Sequence, residues 1–154
     1  MNNKLFSDAQ EKKIASYLDW KQVTGSGARP TIPGDIESPE WLGECKTHTK
    51  SNQPIFFDSK VLDKIVSEAS SKFKQAAYFA DDGSQHVTKT WVIILDRDLS
   101  SRFIVKAYPY KIGATISFNN ADLKKVTADN ELYRLKLGTY TVLLTTLETF
   151  SYII

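Results

Sequence analysis

The chain is 154 residues long, 42% apolar and 25% charged, with a formal net charge of +2. That length suits one domain with a substantial core, and the charge excludes a broadly basic nucleic-acid coat while leaving room for a local basic patch. One cysteine rules out an internal disulfide and suits a reducing cytosol, one Cys with two His lacks zinc spacing, and no stretch has the ~20 apolar residues of a membrane span.

The N-terminus has no apolar run after a basic start, so no signal peptide is expected. Ser7 to Glu11 reads as a helix start, with Ser7 as N-cap and acids in the first turn. Ile14, Tyr17 and Leu18 follow as an apolar stripe at helical spacing. Glu11 lies at its edge. By residue type alone, Glu11 is equally an ordinary first-turn acid and a site carboxylate. Residues 24–34 form a Gly/Pro-rich loop whose glycines let backbone N–H groups approach a phosphate. The loop lacks Gly-Lys-Ser/Thr, so it is not a nucleotide-triphosphate loop. Arg29 is its candidate phosphate contact.

The most informative stretch is Pro33-Gly34-Asp35-Ile36-Glu37-Ser38-Pro39-Glu40-Trp41-Leu42-Gly43-Glu44-Cys45-Lys46. Strand alternation puts Glu44 and Lys46 on one face and Cys45 on the other. Glu37 to Glu40 is turn chemistry, and a chain that folds back there sets position 35 opposite position 44. Two carboxylates and an ammonium then converge. Carboxylate oxygens suit Mg²⁺, and a lysine beside them can orient a water, so the set has the parts of a metal-dependent phosphodiester hydrolase. A surface hairpin with a salt bridge would use the same residues. Trp41, Leu42 and Cys45 favour the site reading, because a core strand seldom buries charges without a use for them.

Residues 55–57 suggest a short strand, and Asp58-Ser59 an N-cap. A helix over 59–77 is predicted, with Val61, Leu62, Ile65, Val66, Ala69 and Phe73 on its apolar face. Lys60, Lys64, Lys72 and Lys74 read as its solvated side. Residues 81–86 form a loop, and 90–95 a strand covered on both faces. Strands are expected over 103–108, 116–118, 132–137 and 139–147, with Gly138 at a break. Asn119 or Asn120 caps a short helix through Val126. With no repeat and no linker, residues 1–154 are taken as one α/β domain, its core over about 8–96 and a β-rich extension over 97–154.

Pro33-Gly34-Asp35 followed by Glu44-Cys45-Lys46 resembles the PD-(D/E)XK nuclease superfamily. The longer run from Gly25-Ser26-Gly27-Ala28-Arg29 to Glu44-Cys45-Lys46-Thr47 is similar to its archaeal and phage-type Holliday junction resolvases. The motif order covers about residues 8–80. The resemblance implies a restriction-endonuclease-like core, a mixed central sheet flanked by helices and extended by the C-terminal strands. It implies an Mg²⁺-dependent endonuclease, with Mn²⁺ able to substitute, acting on branched or four-way DNA. Asp35, Glu44, the Cys45 carbonyl and Glu11 would hold the metal. Lys46 would orient the attacking water. Ser26, Arg29, Thr47 and Lys50 would position the DNA backbone. The junction's near two-fold symmetry implies a homodimer. The setting implied is the cytosol of a prokaryote or a phage host, with no membrane partner. A restriction-type or nicking enzyme on duplex DNA, and a non-catalytic DNA-binding module of the same fold, remain the alternatives.

Overall fold

The computed structural model describes residues 3–23, 34–99, 103–128 and 130–154. Helix α1 runs Asn3–Leu18, followed by strands β1 (Lys21–Gln22), β2 (Ile36–Glu37), β3 (Trp41–Lys46) and β4 (Ile55–Asp58). Helix α2 (Ser59–Ser71) leads to β5 (Gln75–Asp81), β6 (Thr90–Leu95), β7 (Ile104–Ala107) and β8 (Thr115–Phe118). Helix α3 (Asn120–Val126), strands β9 (Glu131–Leu137) and β10 (Tyr140–Thr146), and helix α4 (Leu147–Ile153) complete the order.

Eight strands make one sheet in the order β1-β2-β3-β5-β6-β10-β9-β7, while β4 and β8 pair separately. The β3–β5 and β7–β9 pairs are parallel and the rest antiparallel, so the α/β sheet is mixed. The C-terminal strands β9 and β10 belong to this sheet, joined to it by the β10–β6 pairing.

Alternation along the strands builds two cores. Leu42, Tyr78, Ala80, Trp91, Ile93 and Leu144 point to one face, where Leu62, Ile65 and Ala69 of α2 cover them. Trp41, Cys45, Ala77, Phe79, Val92 and Ile94 point to the other, against Ile14 and Ala15 of α1 and Leu147 and Phe150 of α4. Trp41, Phe79 and Phe150 pack edge to face there, which fixes α4 on the sheet. Every residue of β6 is buried, as its continuous apolar run implies.

Both long helices stop without glycine. Trp20 N–H donates to the Ala15 carbonyl at 2.8 Å and Lys74 N–H to the Ala69 carbonyl at 2.9 Å, the six-to-one bond of a Schellman end. The left-handed position falls on Asp19 (φ 59°) and Phe73 (φ 58°). Phe73 is 98% exposed, so it is a helix terminator and not part of the apolar face. The helix expected over 59–77 therefore ends at Ser71, and residues 75–81 form a strand. Three further expectations are corrected. Ser7 lies inside α1, which begins at Asn3, and Tyr17 is exposed while Ala15 takes its place in the core. The strand expected over 139–147 ends at Thr146, whose hydroxyl caps α4 through the Thr149 N–H. Asp58 caps α2 and Asn119 caps α3, as their positions suggested.

Candidate active site

The hairpin β2–β3 positions the carboxylates. Ile36 pairs with Gly43 and Glu37 with Leu42, so Asp35, one step further back, stands opposite Glu44. Asp35 N–H donates to the Gly43 carbonyl at 2.8 Å, and the Asp35 carbonyl accepts from Val23 N–H at 2.9 Å. Directly opposed residues share a face of the sheet. For Asp35 and Glu44 it is the face that α2 covers. Gly34 precedes Asp35 at φ +74°, and a Cβ there would lie 2.5 Å from the Leu42 side chain. Only glycine lets the chain enter the site at that angle without displacing Leu42.

Asp35 Oδ2 accepts the Cys45 N–H at 2.9 Å, a charge-assisted bond that fixes the carboxylate against β3. The Glu44 side chain is only 6% exposed. Two ammoniums meet its Oε1, Lys64 of α2 at 3.5 Å and Lys46 at 3.7 Å. Burial and then the neighbouring Asp35 push Glu44 up to about 7, against the partial relief of the two lysines. Burial also raises Asp35, opposed by its hydrogen bonds to Glu44 and Cys45. The pair therefore resists carrying two negative charges, and its protons come off as those of a coupled pair.

Glu11 projects from α1 and is buried, and burial with the charges of Asp8 and Glu44 pushes it up to about 7. Its carboxyl is close enough to Asp35 to raise that group in turn. The preceding residue, Gln10, is buried and donates its amide N–H to the Lys46 carbonyl, tying α1 to the end of β3. Beyond Lys46, the Thr47 hydroxyl donates to Asp81 Oδ1 at 2.6 Å. Gly83 N–H donates to the same oxygen at 3.1 Å. A Cβ on Gly83, at φ +95°, would lie 1.8 Å from the Lys50 carbonyl, so this loop closes only around glycine. Lys50 itself is exposed on the loop after β3. The Cys45 thiol is buried on the far face and its pKa is raised well above the ordinary value by burial. Cys45 serves the carboxylates through its main chain. Ser26 and Arg29 lie outside the described residues.

A cavity of about 200 Å³ opens beside Lys46, lined by Thr47, His48, Phe56, Tyr78 and Asp81 among others. Among the described residues, no group of three or more His, Cys, Asp or Glu side chains is placed to hold a metal ion. Mg²⁺ seldom requires such a group, because it keeps several waters and is commonly bound through one or two carboxylates. Two opposed, buried carboxylates fit that requirement: a divalent cation would offset the burial that raises both pKa values and the effect of Asp35 on Glu44. Among the described residues, no helix is long and apolar enough to cross a membrane.

Asp35, Glu44 and Lys46 are thus brought together, while Glu11 approaches from α1 without forming a three-carboxylate metal group with Asp35 and Glu44. Lys64, Gln10 and Asp81 were not singled out by the sequence pattern. Lys64 and Glu44 are 20 positions apart and Gln10 and Lys46 are 36 apart, contacts made by the tertiary fold that no local pattern encodes. No protein-family model matches the chain, and no curated protein or solved structure matches it.

Proposed function

We propose that the chain is an Mg²⁺-dependent endodeoxyribonuclease acting on branched DNA, with a four-way Holliday junction as its substrate. The observation that carries this reading is the opposition of Asp35 and Glu44 across β2–β3, with the Lys46 ammonium 3.7 Å from Glu44. The surrounding mixed sheet, with α1 on one face and α2 on the other, supports a restriction-endonuclease-like core.

Asp35 and Glu44 would hold Mg²⁺, with Glu11 completing the shell directly or through a water. The ion supplies Lewis-acid charge to the phosphate. The chain's own residues do the rest. Cys45 N–H holds Asp35 in one orientation, which makes the carboxylate a preformed ligand. Gln10 fixes the backbone at Lys46. The Lys46 side chain is 53% exposed, so its ammonium can reach both an attacking water and a phosphate oxygen. It orients the one and offsets the charge that develops on the other. A salt bridge serving stability alone would not gather buried carboxylates, with Asp35 raising the pKa of Glu44 and Glu44 that of Glu11. A junction has near two-fold symmetry, so paired cuts call for a homodimer.

The test is cleavage of a four-way junction and of linear duplex of equal strand length, with Mg²⁺ or with EDTA. Mg²⁺-dependent cutting that favours the junction is expected. Equal cutting of both DNAs would replace the resolvase reading with a duplex nuclease, and no cutting of either would leave a DNA-binding module of the same fold.

A further inference from the structure

Lys64 has no part in the activity as described above, yet it reaches the centre of the site. It stands on α2, a different element from the hairpin, and its Nζ lies 3.5 Å from Glu44 Oε1 and 3.6 Å from Glu68 Oε1. The Glu44 side chain is 6% exposed, whereas those of Lys46 and Lys64 are 53% and 59% exposed. The carboxylate is therefore at the floor, and the two ammoniums stand between it and solvent. An anion arriving from solution meets the lysines first. An ammonium has three donors, and two carboxylate contacts leave one for a further acceptor. At 3.5 Å and 3.6 Å neither contact is a short one, so the ammonium can turn its remaining donor to a phosphate oxygen while it stays beside the two largely buried carboxylates.

We infer that Lys64 is a phosphate-binding residue: with Lys46 it forms a two-lysine cradle, fed from α2 and β3, that holds a backbone phosphate of the DNA strand over the carboxylates. This rests on the nuclease reading of Asp35, Glu44 and Lys46. The cradle is rigid on the α2 side because α2 is anchored by Leu62, Ile65 and Ala69 and capped by Asp58. Lys64 sits one position before Ile65, so the buried isoleucine fixes where the lysine emerges.

The experiment is a binding titration of a labelled four-way junction in EDTA across salt concentrations, for the wild type, Lys64→Met and Lys64→Arg. Lys64→Met is expected to weaken binding several-fold and to lower the slope of log affinity against log salt by about 0.9, one phosphate contact. Lys64→Arg is expected to restore the slope. With Mg²⁺, Lys64→Met is expected to raise KM and leave kcat nearly unchanged, since the contact is made equally in substrate and transition state. An unchanged salt slope with a fallen kcat would overturn the inference and make Lys64 a mere partner of Glu44. An unchanged slope and unchanged kinetics would overturn it as well. Should Lys64→Met fail to fold, Lys64→Gln gives the same readouts. If the wild type itself neither binds nor cuts the junction, the nuclease reading has failed, and that result is distinct from a failure at Lys64.

Discussion

Glu44→Gln should stabilise the metal-free protein above neutral pH. Glu44 titrates at its ordinary 4.5 in the unfolded chain and at about 7 in the fold. Between those values the folded chain keeps a proton that the unfolded chain has released. A group raised in this way contributes stability fully below its unfolded pKa and loses that stability as pH rises through the folded one. At ~1.4 kcal/mol per pH unit, the loss across this window is about 3 kcal/mol for Glu44. Burial is the largest cause, and Lys46 and Lys64 offset only part of it. Gln keeps the shape and carries no charge. The assay is urea unfolding in EDTA, with the wild type and Glu44→Gln compared from about pH 4.5 to about pH 8. The stability gap should open in favour of the variant by about 3 kcal/mol over that range. Mg²⁺ at about 100 times its Kd should then return about 2.7 kcal/mol to the wild type near pH 8 and much less to the variant. Parallel stability curves, or a variant less stable than the wild type above pH 7, would refute the reasoning that burial and carboxylate repulsion dominate this site.

Lys46→Ala should slow cleavage by a factor on the order of 10² while Mg²⁺ still stabilises the protein, because the lysine acts on the transition state and not on the ion. Single-turnover rates beside Mg²⁺-dependent unfolding midpoints check this, and a full cleavage rate would remove Lys46 from the mechanism. Phe73→Gly should stabilise by about 1 kcal/mol, since glycine takes a left-handed conformation without strain and the exposed ring loses no packing. A lower unfolding midpoint for this variant would show that the ring contributes a contact on the surface.

The site was more legible in the sequence than the fold around it. The distance from Asp35 to Glu44 with a Ser-Pro turn between them determines which residues face each other, because a hairpin's register follows from its turn. Caps were equally readable: Asp58 and Asn119 carry short acceptors next to helical stretches. The α2 boundary was not. Ala76, Ala77 and Ala80 suit a helix, and the stop signal is carried by backbone bonds closing over Phe73, a residue with no preference for that conformation. Helix α4 was hidden for a related reason. Thr149, Phe150, Tyr152 and Ile153 have strand propensity, and the packing of Phe150 on Trp41 overrides it. Lys64 read as one of four solvated lysines, since nothing within α2 distinguishes it from Lys60; only the placement of α2 against β3 brings it to Glu44.

The central claim is that Asp35 and Glu44 form the metal-binding pair of a DNA-cleaving centre. Its most direct test is cleavage of a four-way junction by Asp35→Asn in Mg²⁺, beside the wild type. The asparagine carbonyl can still accept the Cys45 N–H, so the fold should be kept, while the charge that Mg²⁺ requires is gone. The account predicts that cleavage is abolished with the folded structure intact and junction binding retained or tightened. Cleavage by Asp35→Asn at the wild-type rate would contradict it.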